Sequence, residues 1–452
     1  MAATVKDLLA ALNRDWIMGE EAARFDERHR AVRREIDRED EAWHKRGVLV
    51  AEADSLDYLA AVLAAMAENC AVWLGNPRWG AAEWEAFYKV ASPAKIYGEA
   101  LPPAESAPEI EEANWPGTGK VMIATGGTSG SLRFAIHSLK TLSNAVDSLH
   151  RWFDRQPHYS LENLPPHHVS GLMPPLRALL TEGCFAPRAG RSLGETIDSL
   201  DTPENYFVSL VPTLLRRGME DRDLRKSLKK LRGIFLGGAG TDPYTLDKAD
   251  RQQLPIIPSY GMTETCGMVA ALPAEEFLAG WRGGGRALPG VDLRLEQDDA
   301  TPNRAGRILL RTNALCEGLT DGDMPSERGW FATQDEGYFD LVRNLHVLGR
   351  IDRAINTGGE KVDPAEVERA LLEVQGVRSV MVRGVPDPEW GQRLVCCYTK
   401  NRESLTSKAI EAYLETRLSA PKRPKQYIEV DRLPYDDHGK LDTAKLQEYL
   451  QQ

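Results

Sequence analysis

Val121-Met122-Ile123-Ala124-Thr125-Gly126-Gly127-Thr128-Ser129-Gly130-Ser131 joins an apolar run to a stretch in which every residue is a glycine or carries a hydroxyl. The pattern predicts a strand that empties into a loop able to hold phosphate. Glycines let backbone N–H groups approach an anion, and the hydroxyls of Thr125, Thr128 and Ser129 can donate to its oxygens. A solvent-exposed turn of low complexity fits the same residues, so the rest of the chain has to decide.

Working outward, short apolar runs recur at Tyr206 to Val211, Gly233 to Leu236, Pro255 to Ile257 and Arg307 to Leu310. Segments with helical spacing, Ser170 to Thr181 and Pro243 to Gln253, separate several of them. This alternation predicts an α/β fold with partly parallel sheets. Ahead of the loop, the chain to about Asn69 is rich in Ala, Leu, Glu and Arg and reads as helices covering a core. The pattern changes near Gly349-Arg350. Beyond it, strands are expected at Ser379 to Val385, Leu394 to Tyr398 and Gln426 to Val430, with helices at Pro364 to Glu373 and Ser407 to Leu418. The expected organisation is a large N-terminal domain of α/β subdomains, residues 1–349, and a small α+β domain, residues 350–452.

A chain of 452 residues can bury more than one core. Its net charge of -11 disfavours an extended nucleic-acid surface. No apolar run is long enough to span a membrane and the first segment has no signal-peptide core, so a cytoplasmic protein is expected. The six cysteines lack C-x-x-C spacing and read as reduced, mostly buried thiols. The histidines and cysteines do not form a zinc-ligand pattern.

Four further segments carry candidate chemistry. In Ser259-Tyr260-Gly261-Met262-Thr263-Glu264, Tyr260 can stack on a base, Thr263 can bond a phosphate and Glu264 can hold Mg²⁺ through oxygen; a helix-start role for Glu264 is the structural alternative. Trp330-Phe331-Ala332-Thr333-Gln334-Asp335 places a carboxylate able to accept ribose hydroxyls, although carboxylates in turns are usually only solvated. Gly349-Arg350-Ile351-Asp352 runs on through Gly358-Gly359 to Glu368, and Asp437-His438-Gly439-Lys440 sets a lysine beside a glycine turn. The G-x-x-x-x-G-K-[ST] loop is absent, and Gly238-Ala239-Gly240 does not continue as a dinucleotide-binding turn.

In this order the five segments resemble the adenylate-forming superfamily of acyl- and aryl-CoA synthetases, luciferases and peptide-synthetase adenylation domains. Phe235-Leu236-Gly237-Gly238-Ala239 and Gly285-Arg286-Ala287-Leu288-Pro289-Gly290 add to the resemblance. It implies that Thr125, Gly126, Gly127, Thr128, Ser129 and Gly130 embrace the β- and γ-phosphates of ATP. Gly238, Ala239, Tyr260 and Gly261 would frame adenine, Thr263 would contact the α-phosphate, Glu264 would bind Mg²⁺, and Asp335 with Arg350 would hold ribose. Lys440 matches the catalytic lysine between substrate carboxylate and α-phosphate, and Asp352 the hinge. Gly358 and Gly359 would line the passage for coenzyme A. One departure stands out: the family usually has Pro-Lys where this chain has Leu132-Arg133, which keeps the positive charge.

The acid is suggested by Pro166-His167-His168-Val169-Ser170-Gly171-Leu172-Met173-Pro174-Pro175-Leu176-Arg177. His168, Ser170, Gly171 and Arg177 resemble the pattern of o-succinylbenzoate:CoA ligases of menaquinone and phylloquinone biosynthesis, which are also short for the superfamily. That acid has two carboxylates and only one is activated. An arginine suits the other, so Arg177 is the candidate for the aromatic carboxylate and His168 for shaping the acyl site. Arg177 as a surface helix residue, and His168 as a packed helix start, are the structural alternatives. Other readings are a CoA ligase for another aryl or acyl acid, an adenylation domain that loads a carrier protein, and a non-catalytic relative; a homodimer is left open.

Overall fold

The computed structural model describes residues 2–100, 110–125, 132–241, 243–296, 304–322, 324, 326–327, 329–351, 355–357, 360–388, 390–401, 404–434 and 443–450. The first sheet forms around β1 (Val48–Ala51), with β2 (Val72–Leu74), β3 (Lys95–Gly98) and β4 (Lys120–Thr125) parallel to one another. β5 (Arg133–Ser138) pairs antiparallel with β4, with Thr125 opposite Arg133. The helix Ser55–Ala67 covers this sheet and is buried from Tyr58 to Ala67. A helix buried all round carries no polar face, which explains its run of Ala and Leu. Asp54 caps it by accepting from the N–H groups of Leu56 and Asp57.

The second sheet has the order β12-β11-β10-β9-β8-β6-β7, built from β6 (Tyr159–Leu161), β7 (Phe185–Ala186), β8 (Tyr206–Leu210), β9 (Gly233–Leu236), β10 (Ile256–Met262), β11 (Gly267–Ala271) and β12 (Arg286–Ala287). From β7 to β10 the strands are parallel, and helices such as Val169–Leu180 and Pro212–Glu220 make the crossovers. The expected α/β alternation is present, and β9 has the bounds read from the sequence.

The first two sheets supply the expected parallel strands, and the third is antiparallel. β13 (Val291–Leu295), β14 (Gly306–Thr312), β16 (Ser326–Glu327), β17 (Trp330–Phe339) and β18 (Leu345–Arg350) pair antiparallel, while β15 (Gly318–Leu319) returns to pair with β5. The connections from β16 to β17 and from β17 to β18 are too short for anything but antiparallel pairing, because a parallel pair needs a crossover of a dozen or more residues. Asp335 therefore lies within β17, not in the turn the sequence suggested.

The C-terminal sheet comprises β19 (Ile355–Thr357), β20 (Glu360–Val362), β21 (Val377–Asp387), β22 (Gly391–Lys400) and β23 (Gln426–Glu429). Helices Pro364–Leu372 and Ser407–Glu415 pack on it through Val367, Leu371, Ile410 and Leu414, a core separate from those of the larger lobe. Cys396 and Cys397 lie buried in β22, and all six cysteines are free. An exposed ion pair at 2.6 Å, Arg378 to Glu220, crosses between the lobes. Among the described residues no helix is long and apolar enough to cross a membrane.

Candidate active site

Ligands of open α/β sheets bind beyond the carboxyl ends of the parallel strands, and the candidate residues gather there. β9 ends at Leu236 and turns through Gly238, whose φ of +80° falls in the left-handed region that favours glycine. A Cβ on Gly237 would stand 2.9 Å from the Ser259 hydroxyl, so this turn hugs β10. Gly238 and Ala239 are exposed at its tip.

β10 continues past its parallel partner into an antiparallel hairpin with β11, and the register shifts at Tyr260/Gly261. A Cβ on Gly261 would lie 2.0 Å from the Gly267 carbonyl oxygen, an approach only glycine permits. Tyr260 is turned inward, and its hydroxyl donates to Asp335 Oδ2 at 2.7 Å. Burial, followed by the adjacent carboxylate, pushes the phenol pKa far up, so Tyr260 is a neutral donor. Arg350 on β18 is paired in register with Asp335 on β17. The structure thus brings together Tyr260, Asp335 and Arg350, which are far apart in sequence. On the ribose-holding role that the sequence resemblance implies for Asp335, Tyr260→Phe is expected to raise KM for ATP by about three- to tenfold, by freeing Asp335 from its fixed donor, with KM for the acid unchanged. Steady-state kinetics with each substrate varied in turn checks this.

Thr263, Glu264 and Thr265 form a single 3₁₀ turn, closed by Cys266 in the left-handed conformation at φ +55°. The Thr265 hydroxyl donates to the Gly267 carbonyl at 2.7 Å. Glu264 is no helix cap: its Oε1 lies 3.6 Å from the Arg133 guanidinium. Arg133 also donates through Nε to the Thr125 hydroxyl at 2.7 Å and lies 3.8 Å from Asp321 Oδ2. Arg133 therefore uses its fork to join Thr125, at the start of the glycine-rich segment, to two carboxylates. Asp321 was not a sequence candidate, and no local signal could single it out nearly two hundred residues from Arg133.

Gly126, Gly127, Thr128, Ser129 and Gly130 lie outside the described residues, as do Asp352, Gly358, Gly359 and Lys440. The anchors of the loop, Thr125 and Arg133, are in place. Among the described residues no group of three or more His, Cys, Asp or Glu side chains could hold a metal alone. One carboxylate suits Mg²⁺ nonetheless where a phosphate is bound beside it, since that ion keeps several waters and takes further oxygens from phosphate. Glu264, with 13% of its side chain exposed, is the residue that fits.

The helix Val169–Leu180 starts at His168 as N-cap. Its first turn is tucked against the preceding segment, where a Cβ on Gly171 would lie 2.0 Å from the Pro165 carbonyl oxygen. His168 is half-buried with its ring 4.3 Å from that of His167, and Ser170 is exposed. Nine residues on, about 13 Å along the axis, Arg177 is not a surface residue: it is 6% exposed. Its guanidinium lies over the Phe235 ring at 5.5 Å, Nε has no hydrogen-bond partner, and no carboxylate among the described residues pairs with it. Burial pushes its pKa down to about 10, so it stays charged. The side chain faces Gly267, at the foot of the turn that carries Glu264. Phe235, Phe207 and His158 form the adjoining aromatic wall, with Phe207 stacked on Phe235 at 5.2 Å and on His158 at 4.6 Å. Phe235 lay in a segment tied to the site from sequence, Phe207 was read only as part of the apolar run Tyr206 to Val211, and His158 lay in no segment singled out.

Residues 92–320 match the family model described as AMP-binding enzyme, and residues 366–440 match that of the AMP-binding enzyme C-terminal domain. The 2-succinylbenzoate--CoA ligase of Bacillus velezensis is 30% identical over 342 residues, which is 72% of this chain and 68% of the relative. Among solved structures, the o-succinylbenzoate CoA synthetase of Bacillus subtilis in complex with its acyl-adenylate intermediate superposes with a TM-score of 0.78 at 20% identity, over 98% of this chain and 97% of that one. ATP-bound MatB from Rhodopseudomonas palustris gives 0.79 at 20% identity, over 99% of each chain. At such identities these superpositions speak for the fold alone.

Proposed function

The chain belongs to the AMP-binding enzyme family, and from that premise we propose that it is an AMP-forming acid:CoA ligase whose acid is o-succinylbenzoate. In the first half-reaction an oxygen of the succinyl carboxylate attacks the α-phosphorus of ATP, the bond to the β-phosphate oxygen breaks, and pyrophosphate leaves. In the second, the sulfur of coenzyme A attacks the acyl carbon, the thiol proton is released, and AMP departs. AMP is a far better leaving group than the hydroxide it replaces.

The residues divide this work by chemistry. Gly238, Ala239, Tyr260 and Gly261 frame the adenine, and Asp335 with Arg350 accepts and donates to the ribose. Thr125, residues 126–130 and Arg133 hold the outer phosphates, and Thr263 meets the α-phosphate. Mg²⁺, when bound at Glu264, neutralises phosphate charge. Lys440 is the cation at the reacting oxygens. Domains 1–349 and 350–452 would move about Asp352, with Gly358 and Gly359 beside the incoming thiol. This chemistry fits a cytoplasmic enzyme, where ATP and coenzyme A are supplied.

One observation carries the choice of acid: Arg177 is a buried guanidinium with no carboxylate among the described residues to neutralise it. Such a charge is costly unless a ligand supplies the counter-ion. The second carboxylate of o-succinylbenzoate does so, and the neighbouring aromatic wall suits its ring. Relatives named for this activity support the assignment. The test is pyrophosphate release from MgATP with a panel of mono- and dicarboxylic aryl acids, with and without coenzyme A. Turnover stimulated by coenzyme A and confined to o-succinylbenzoate is the expected result. Turnover only with monocarboxylic acids would remove the substrate and keep the reaction, and transfer only to a carrier-protein thiol would remove coenzyme A.

A further inference from the structure

We infer that His137 is a positioning residue for the nucleotide site, fixing the Thr263–Glu264 turn through the carbonyl of Thr263. The inference rests on the proposed roles of Thr263 and Glu264. His137 lies on β5, the strand that leads away from Arg133 and the phosphate loop, and is fully buried. Its Nε2 is 2.8 Å from the Thr263 carbonyl oxygen. A carbonyl only accepts, so Nε2 carries the hydrogen and Nδ1 is left as an acceptor. Two donors stand beside Nδ1, the Thr141 hydroxyl at 3.0 Å and the Cys266 thiol at 3.1 Å. Each has an alternative carbonyl, Ser138 for Thr141 at 3.1 Å and Ala314 for Cys266 at 3.3 Å. One of the two protons can therefore satisfy Nδ1 while the other goes to its own carbonyl.

The contact falls on the strained part of the turn. Cys266, which touches the imidazole, holds a left-handed backbone that non-glycine residues seldom adopt and that persists only where the surroundings enforce it. The Thr263 carbonyl accepts from His137 and from the Cys266 N–H at 3.1 Å, and the Glu264 carbonyl accepts from the Cys316 N–H at 2.7 Å. With both carbonyls held from outside, the turn cannot relax when charge at its side chains changes. His137 sits four residues after Arg133, so β5 ties the loop to the turn twice: by an ion pair at Glu264 and by a neutral hydrogen bond at Thr263. Arg133 can leave Glu264 for phosphate without releasing the turn, because the second tie carries no charge.

The test compares His137→Leu, which removes the donor, with His137→Gln, whose amide N–H can reach the position of Nε2. MgATP affinity is read by calorimetry, KM and kcat by steady-state kinetics, and folding by thermal melts. His137→Leu is expected to weaken MgATP binding about tenfold with KM for the acid nearly unchanged, and His137→Gln to recover most of the loss. A lower Tm with unchanged MgATP affinity in the folded leucine variant would leave His137 a structural residue only and overturn the inference. Equal weakening of acid and nucleotide, or a folded glutamine variant with no recovery, would do the same. If the leucine variant does not fold, His137→Asn, whose shorter amide reaches only the Nδ1 side, replaces it in the comparison. Glu264→Gln separates the two readings: if it leaves MgATP affinity intact, the nucleotide site itself is misplaced, whereas weakening by Glu264→Gln but not by His137→Leu removes His137 alone.

Discussion

Arg177→Ala is expected to lower kcat/KM for o-succinylbenzoate by about a hundred- to a thousandfold while KM for ATP stays within about twofold, because it removes one partner of a charge pair formed in a desolvated site. In the free protein the opposite holds. The guanidinium there lies against the Phe235 face, beside Gly267, with no carboxylate among the described residues, so under the proposed role it is a cost to folding that substrate binding would offset. Arg177→Met, which keeps most of the volume, should therefore raise the Tm of the ligand-free protein by a few degrees and abolish the further rise that o-succinylbenzoate gives the unmodified enzyme. Arg177→Lys should fall between, since an ammonium keeps the charge without the fork. A structural arginine predicts the reverse pattern: a lower Tm for the methionine variant and unchanged acid kinetics. Either of those results would take Arg177 out of the acid site.

How much of this was legible in the sequence depends on how far apart the interacting residues are. Helix Pro364–Leu372 could be read because its signals are adjacent: Asp363 caps it and Pro364 opens it. β9 could be read because it is a short, fully buried run between polar segments, and β10 through its buried start at Ile256 and Ile257. The site segments were legible as a resemblance, and their joint order pointed to one cleft. The antiparallel third sheet was less visible, since β17 interrupts its apolar residues with Thr333, Gln334, Asp335 and Glu336 and bulges at Glu336/Gly337. Contacts made by topology left no local trace. The partners of Arg133 are Thr125, Glu264 and Asp321, and only the first is near in sequence. The same is true of His137 and Thr263, which the pairing of β5 with β4 and the turn after β10 bring within 2.8 Å. Burial of Arg177 was equally hidden, because a lone arginine in an apolar helix reads as well for a surface as for a site.

Lys440→Ala is expected to reduce adenylation, read as single-turnover pyrophosphate release, by about a hundred- to a thousandfold, and to leave thioester formation from supplied o-succinylbenzoyl-adenylate within about twofold of the unmodified enzyme. Negative charge accumulates where the attacking carboxylate meets the α-phosphate, and an ammonium placed there acts on the transition state more than on either bound substrate. Its loss should therefore appear in kcat with little change in KM. In the thioester step the attacking group is a thiol and the departing group is AMP, so that lysine is no longer opposite two converging anions. Arg177 makes the necessary contrast. The adenylate still carries its aromatic carboxylate, so Arg177→Ala should impair both half-reactions, in each case through binding. Loss confined to the first half-reaction in one variant and shared by both in the other would separate a group that acts on the reacting oxygens from one that holds the far end of the acid. Equal loss of both half-reactions in Lys440→Ala would remove the lysine from that role and leave a general contribution to domain closure in its place.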